Sequence, residues 1–388
     1  MQQLILKAKE DRRVRQGHLW VFSNEVQQHP QAQAGDVVEV LTHGGESLGS
    51  ALYHPHSLIS ARLLLSDVED VDEVFFHERL SAAAQLRRRL FPNETCYRLV
   101  HGESDWLPGL LVDRFNEYLV IQTITTGMDR RLPLIANSLK QLFQPRGIIE
   151  RNDSTLRAYE ELPQRSGYLF GDDTGPVVIE ENGLRYRIDL LHGQKTGFFF
   201  DQKLNRQAAA RYAPGTRALD CFCNLGSFSF HLARGGAAEV TGVDVSETAV
   251  EKARENAVLN DIPNVTFVAE DAFLFLEEKV KNGQRFDLIV LDPPSFARNR
   301  KTVGPAKKGY RRLNELALRA LTEGGILVTA SCSFHIFEDV FHDLINEAAV
   351  RADRRLQLLE WHHQAPDHPI LPAMPETRYL KLGIFQVI

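Results

Sequence analysis

Five residues of this chain each close an apolar run: Asp220, Asp244, Asp271, Asp292 and Cys332. The carboxylates offer acceptors to the hydroxyl and amino groups of a ligand, and a thiolate is a nucleophile toward carbon. One acid after an apolar run is commonly a helix cap or a turn residue. Four acids and a thiol delivered in succession form a constellation that points to a binding crevice. Between the first two acids lies a small-residue turn, Cys223-Asn224-Leu225-Gly226-Ser227, followed by a helix-like segment (Phe228, Phe230, Leu232, Ala233) and a Gly-Gly break. Asp244 stands at about the interval at which an acid reaches a ribose hydroxyl in dinucleotide sites. The turn, however, lacks the G-x-G-x-x-G pattern that lets a backbone approach a pyrophosphate. A phosphate-free cofactor gripped through its amino-acid and ribose parts fits better, and S-adenosylmethionine is such a molecule.

In that reading Asp244 accepts from both ribose hydroxyls, and Asp271 faces the adenine amino group, with Phe273 or a neighbour such as Ala272 packing the ring. The turn of Cys223, Asn224, Gly226 and Ser227 carries the methionine part, with Asp220 at its amino end. Asp292-Pro293-Pro294-Ser295 is a rigid corner, because each proline fixes φ and offers no N–H. It presents Asp292 and the backbone around it to a flat target base. Cys332, flanked by Ser331 and Ser333, is either inert core, the usual fate of a cysteine in an apolar strand, or a nucleophile. A thiolate that adds to C6 of a pyrimidine makes C5 able to take up a methyl group, provided the base has left its stack.

These residues need strands and helices to position them. Apolar runs at 217–220, 239–245, 265–269, 287–291 and 325–330 alternate with helical patterns, and Ser246 is expected to cap a helix with Ala249, Val250, Ala253, Ala257 and Val258 on one face. That alternation implies βαβ units and a parallel sheet, an α/β fold over residues 183–388. Ahead of it, Asp201 is expected to cap a helix through Leu204, Ala208 and Tyr212, and Phe198-Phe199-Phe200 to form an aromatic lip, or core. Lys301, Lys307, Lys308, Arg311 and Arg312 follow the Asp-Pro-Pro corner in a loop containing glycine and proline, where they can clamp phosphates.

Residues 1–72 read as a small β-barrel with strands at 4–7, 36–41, 46–53 and 59–65. The segment from Asp11 to Phe22 mixes Arg12 and Arg13 with Trp20, charge and aromatics together. This suits either nucleic-acid contact or a solvated turn with Trp20 and Phe22 in a core. Residues 73–182 read as an α+β domain with strands at 97–100, 110–115, 118–124 and 147–151, and helices at 75–90 and 132–143. Arg87-Arg88-Arg89 ends the first helix, either complementing its dipole or meeting RNA. Asp105, Asp113 and Arg114 read as turn and surface residues.

A chain of 388 residues exceeds one ordinary domain and suggests two or three, which admits this division. No apolar run is long enough to span a bilayer, so no membrane partner is expected, and MQQLILKAKEDRR turns charged too early for a signal peptide. Of the four cysteines only Cys221 and Cys223 are close. A C-x-C pair without a second pair or a spaced histidine makes a poor zinc site. The expectation is a reducing, cytoplasmic protein without metal. A net charge of −6 argues against indiscriminate nucleic-acid binding but leaves room for a local basic face.

The ordered set GHLWVFSNEV, RLVHGESDWLPGLLVDRF, GQKTGFFFDQ, LDCFCNLGSFS, LDPPSFA and SCS resembles the bacterial large-subunit ribosomal RNA cytosine-C5 methyltransferases, over essentially the whole chain. The resemblance implies an N-terminal PUA-type RNA-binding module, a central α+β domain and a class I, Rossmann-like methyltransferase domain, often paired as a homodimer. It implies S-adenosylmethionine as cofactor and large-subunit ribosomal RNA or a precursor particle as partner. It makes Cys332 the nucleophile and puts Arg12, Arg13, Trp20, Lys195, Arg206, Pro294, Ser295, Lys307, Lys308 and Arg311 toward RNA. Related RNA cytosine enzymes carry a second cysteine at or beside the Pro-Pro corner. None is present here, so Cys332 acts alone, Asp292 steadies the N3 and amino edge of the base, and the C5 base is unassigned. Two other readings stand beside it: methylation of a guanine without covalent catalysis, and a non-catalytic RNA-binding assembly factor.

Overall fold

A computed structural model describes residues 1–64, 68–173, 175–193, 196–297 and 299–388. The chain divides into two compact units, one made of residues 1–179, 188–200 and 366–377, the other of residues 180–187, 201–365 and 378–388.

The second unit is a seven-stranded sheet clad in helices. Its elements run α1 (Lys203–Ala210), β1 (Arg217–Cys221), α2 (Ser227–Arg234), β2 (Glu239–Asp244), α3 (Glu247–Leu259), β3 (Val265–Ala269), α4 (Ala272–Lys281), β4 (Phe286–Leu291), α5 (Val303–Ala320), β5 (Leu321–Ser331), α6 (Glu338–Arg351), β6 (Leu356–His362) and β7 (Lys381–Val387). Strand order is β3-β2-β1-β4-β5-β7-β6, parallel from β3 through β5, with β7 antiparallel to both neighbours. The central strands read as near-continuous apolar runs because both faces are covered. Leu219, Cys221, Ile289, Leu291 and Leu327 pack with α4, α5 and α6 on one face. Ala218, Leu288, Val290 and Val328 pack with α1 and α2 on the other. The ladder sets Asp220 beside Gly242 and Val290, and Cys221 beside Val243 and Leu291. The carboxyl ends of β1, β2 and β4 therefore lie in one row, where the connections from β1 and β4 leave in opposite senses. A crevice for ligand forms at such a switch point.

The helix α5 corrects the sequence reading. Lys307, Lys308, Arg311 and Arg312 lie on it, and Lys301 in the short 3₁₀ turn before it. Pro305 sits in the first turn, where its missing N–H costs nothing. Gly309 lies against Phe296, whose ring would be 3.2 Å from an added Cβ. Ala306, Tyr310, Leu313, Leu316 and Ala317 supply the buried stripe. Asp201 does not cap α1: Gln202 occupies the cap position without a side-chain bond, and Asp201 Oδ2 accepts from the Tyr379 hydroxyl at 2.6 Å. Ser246 does cap α3, accepting from Ala249 N at 3.2 Å, but Val258 points to solvent.

The first unit holds two sheets. A six-stranded one runs in the order Trp20–Phe22, Ile59–Leu63, Ser47–Tyr53, Val37–Leu41, Gln2–Leu6, Val26–Gln28. It is closed over Leu4, Leu6, Val21, Val38, Val40 and Ala61. A five-stranded one runs in the order Arg165–Phe170, Gly147–Asn152, Tyr118–Thr123, Leu110–Phe115, Cys96–His101. The helices Glu73–Leu90 and Leu132–Phe143 pack on the latter. Here three charged residues belie their sequence reading. Arg87 is fully buried, forked onto Asp105 (2.7 Å for the Nη2 bond) and bonded to the carbonyls of Arg98 and Asp367. It is a core ion pair and cannot reach RNA. Asp105 and Asp113 are buried partners rather than surface residues. Asp113 holds Arg98 at 2.6 and 3.0 Å and accepts from Thr196 on the 188–200 segment. Phe198 and Phe200 are buried against each other, and Phe200 against Phe115, so they form core and not a lip.

Candidate active site

β1 delivers Asp220 wholly buried. Its Oδ2 accepts from Ser229 N (2.9 Å) and Ser229 Oγ (2.6 Å) on α2, and its Oδ1 has no hydrogen-bond partner among the described residues. Burial pushes the carboxyl up to about 7; Asp292 and Asp244 add to the shift and the Ser229 bonds oppose it. The turn that follows is wound through positive φ at Phe222 (66°), Asn224 (48°) and Gly226 (82°). Non-glycine residues there cost free energy that the surroundings must supply, a form of strain found at ligand clamps. Phe222 N and Cys223 N both donate to Val243 O, anchoring the turn to β2. Gly226 is required by its backbone and by its neighbours, since an added Cβ would lie 2.7 Å from Phe230 and 2.9 Å from Phe267. The glycine seats the turn on the core, whereas the sequence suggests an opening for the ligand. Cys223 is buried, and burial raises its thiol pKa well above the usual value, which leaves the residue's backbone to face a ligand.

Asp244 ends β2, its Oδ2 accepting from Asn224 N (3.0 Å) and Oδ1 from Ser246 N (2.9 Å). An ionised carboxylate has about four acceptor sites, so two remain for a pair of hydroxyls. Asp271 is exposed and caps α4 through Oδ1, with Phe273 N at 2.9 Å and Leu274 N at 3.1 Å. The cap role that its position suggests is real, and Oδ2 is left for a ligand. Ala272 behind it is buried. An orphaned buried acid, a diol acceptor and an exposed cap acid, in order along three strand ends, suit the amino, ribose and adenine parts of S-adenosylmethionine.

Beyond β4, Asp292 accepts from Gln202 Nε2 at 2.9 Å, and Gln202 in turn accepts from Asn205 at 2.6 Å. Pro293 is buried, Pro294 exposed and Ser295 half-buried. Cys332, half-buried just past β5, faces this corner, its Sγ 3.9 Å from Pro293 O. The next residue, Ser333, is wholly buried and ties corner to turn: its Oγ meets Ser295 Oγ (3.0 Å), Tyr310 Oη (2.8 Å) and Ala297 N (3.2 Å). Tyr310, with its hydroxyl pushed up to about 12 by burial, stays neutral. Sequence reasoning gave no role to Tyr310 or the buried Lys381, and quoted Gln202 and Ser333 only within motifs. Of the four only Lys381 stands out, as a charge opening a mostly apolar strand, and its role is visible only once its partners are known.

The residues assigned to RNA scatter. Arg206 is buried, bonded to Glu181 at 2.6 Å beneath Phe228, and so is closed to phosphate. Arg311 pairs with Glu347 at 2.8 Å, while Lys308 is exposed and Lys307 half-buried on the same helix. In the first unit Arg12 is exposed and Arg13 pairs with Glu25 over Phe22. Trp20 spends its indole N–H on Glu103 at 2.8 Å. Lys195 lies outside the described residues. Among the described residues no group of three or more His, Cys, Asp and Glu could hold a metal ion, and no helix is long and apolar enough to cross a membrane.

A family profile described as S-adenosylmethionine-dependent methyltransferase matches residues 97–381, and one described as PUA-like domain matches residues 4–65. The chain belongs to that methyltransferase family. It is 42% identical to the ribosomal RNA large subunit methyltransferase I of Aeromonas hydrophila over 387 residues, 97% of each chain. It is 40% identical to the protein of that name from Shewanella denitrificans over 384 residues, again 97% of each. In fold, the methyltransferase is similar to a structure described as a SAM-dependent methyltransferase from Streptococcus mutans (TM-score 0.86, 20% identity). It is also similar to a methyltransferase complexed with SAH (TM-score 0.87, 21% identity), with 100% of both chains covered in each case. S-adenosylmethionine is thus the cofactor of this fold, and the seven-stranded order with its acid-lined strand ends is the class I methyltransferase architecture read from the sequence.

Proposed function

We propose that this chain methylates C5 of a cytosine in large-subunit ribosomal RNA, using Cys332 as a covalent nucleophile. The observation that carries the reading is a thiol at the end of β5, across from the carbonyl of the Asp-Pro-Pro corner, in a chain 42% identical to a ribosomal RNA large subunit methyltransferase I. Bound S-adenosylmethionine supplies an electrophilic methyl group. Asp244, Asp271, Asp220 and the turn of Cys223, Asn224, Gly226 and Ser227 bind and orient it; Asp292, fixed by Gln202, holds the amino and N3 edge of the base. The Cys332 thiolate forms a bond to C6 and its electron pair moves the ring's density to C5, which takes the methyl group while the methyl–sulfonium bond breaks and its electrons stay with the departing thioether. The C5 proton then leaves to a base, and the C6–S bond breaks with its electrons returning to sulfur.

Arg12, Trp20, Lys307, Lys308, Pro294 and Ser295 are the proposed RNA contacts, and the PUA-like residues 1–72, the central 73–182 and the catalytic 183–388 are the working division. The family resemblance supports a homodimer, which light scattering tests, and a ribosomal substrate supports a cytoplasmic location, which cell fractionation tests. Methyl transfer to large-subunit RNA lacking its own modifications, with the nucleoside identified by mass spectrometry, tests the chemistry. Wild type yields 5-methylcytosine and Cys332→Ala yields none. A methylated guanine, or full activity in the variant, would refute the cysteine assignment.

A further inference from the structure

The turn that carries Cys332 is held from beneath by a buried cation. Lys381 opens β7 directly across the ladder from Ser331 and is only 3% exposed. Its Nζ donates to the carbonyls of Ser333 (2.8 Å) and Ile336 (2.7 Å), which uses two of its three N–H groups. Neither partner is charged, and among the described residues Lys381 forms no ion pair. The charged and titratable groups around it are few. Cys332 and Glu338 favour its charged form and Arg378 opposes it. Tyr310, bonded to Ser333 from α5, is neutral. Glu338 is itself engaged by His363 at 3.0 Å and by Arg378 at 3.7 Å. Burial lowers the ammonium to about 8, with Cys332 the first of the groups that pull it back up, so the charged form predominates at neutral pH. A buried ammonium needs a counter-charge, and Cys332, the residue before the Ser333 whose carbonyl the ammonium binds, is the group of this turn that can supply one as a thiolate.

We propose that Lys381 is the positioning residue of the proposed reaction, fixing the 331–336 turn and serving as the counter-cation of the Cys332 thiolate. The inference rests on Cys332 being the nucleophile. The thiol proton leaves to solvent, and the resulting thiolate is offset by the ammonium bonded to the carbonyl of the next residue. Its electron pair is given to C6 on addition and returns to sulfur on elimination, where the same ammonium offsets the restored negative charge. Lysine carries no proton to or from the base in this scheme.

The test is alkylation of the full-length protein by iodoacetamide from about pH 6 to about pH 10. Cys96, Cys221 and Cys223 are buried, so reaction of the folded protein is confined to Cys332, as mass spectrometry of the labelled peptide verifies. Lys381→Met moves the midpoint of the rate upward by about one to three pH units, the effect expected of losing an opposite charge, and slows labelling at neutral pH about tenfold or more. The pH profile of methyl transfer moves with it, and Lys381→Arg restores both. A staple without electrostatic function would lower kcat equally at every pH and leave the alkylation midpoint in place; that result in Lys381→Met, checked in Lys381→Gln, overturns the proposal. A Cys332→Ser control separates the two ideas. Inactive Cys332→Ser beside an unmoved midpoint refutes the lysine alone, whereas full methyl transfer by Cys332→Ser refutes the nucleophile and this role together.

Discussion

Asp220→Asn separates what the buried carboxyl costs the fold from what it contributes to binding. In the free protein the acid is raised from 3.8 to about 7, chiefly by burial. At about 1.36 kcal/mol per pKa unit, this makes the ionised form cost on the order of 4 kcal/mol above neutral pH. The sign follows from proton counting. Between 3.8 and about 7 the native state holds a proton that the unfolded chain has lost, so stability falls as pH rises through that window. Asparagine keeps an acceptor for the two Ser229 bonds and has no charge to bury. The variant is therefore expected to match wild type only below about pH 4, where the acid is protonated in both states, and to exceed it near pH 8 by about 4 kcal/mol, roughly 10 °C in melting temperature for a unit of this size. Its affinity for S-adenosylhomocysteine falls, because the ligand's ammonium loses its carboxylate. For wild type that affinity rises with pH up to about 7, and titration calorimetry in buffers of different ionisation heat shows a proton released on binding. The assay is paired thermal denaturation across pH with and without ligand. Parallel melting curves for the two proteins at every pH would refute the placement of an uncompensated acid at this strand end.

Gly226→Ala forces a side chain onto positive φ and into Phe230, so it loses about 1–3 kcal/mol of stability by denaturant titration, together with cofactor affinity. Arg87→Met leaves Asp105 in the core without its counter-charge, bonded only by His101 N, and costs about 3–5 kcal/mol; Arg87→Met with Asp105→Leu recovers most of it in the same melts. Lys307→Ala with Lys308→Ala weakens RNA binding and flattens its salt dependence by about 0.7–0.9 for each phosphate no longer neutralised, read from affinities at several salt concentrations.

What was legible in the sequence is what local pattern carries. The strand at Val265–Ala269 and the helix at Leu132–Phe143 stand where period and length put them, and Asp220, Asp244, Asp271, Asp292 and Cys332 do end or follow successive strands of one sheet. Three-residue strands such as Trp20–Phe22 and Val26–Gln28 are too short to show alternation. Glycine and proline at 304, 305 and 309 masked α5, because each is tolerated there for a tertiary or positional reason. Buried charge was the least legible feature. Arg87, Asp113, Arg206 and Lys381 look like surface residues until Asp105, Arg98, Glu181 and the carbonyls of Ser333 and Ile336 arrive from distant parts of the chain.

The position of β7 has a consequence for the order of assembly. This strand, made after all the others, lies between β5 and β6, both of which are synthesised earlier. Neither can close on the other, and each must keep a hydrogen-bonding edge open until residues 381–387 slide in antiparallel between them. Exposed edges are the templates from which chains associate wrongly, and pairing across long separations is slow. Lys381 enters with that final strand, so the segment that seals the sheet also brings the charge beneath Cys332. A chain still waiting for it has its cofactor strands in place and no finished thiol site.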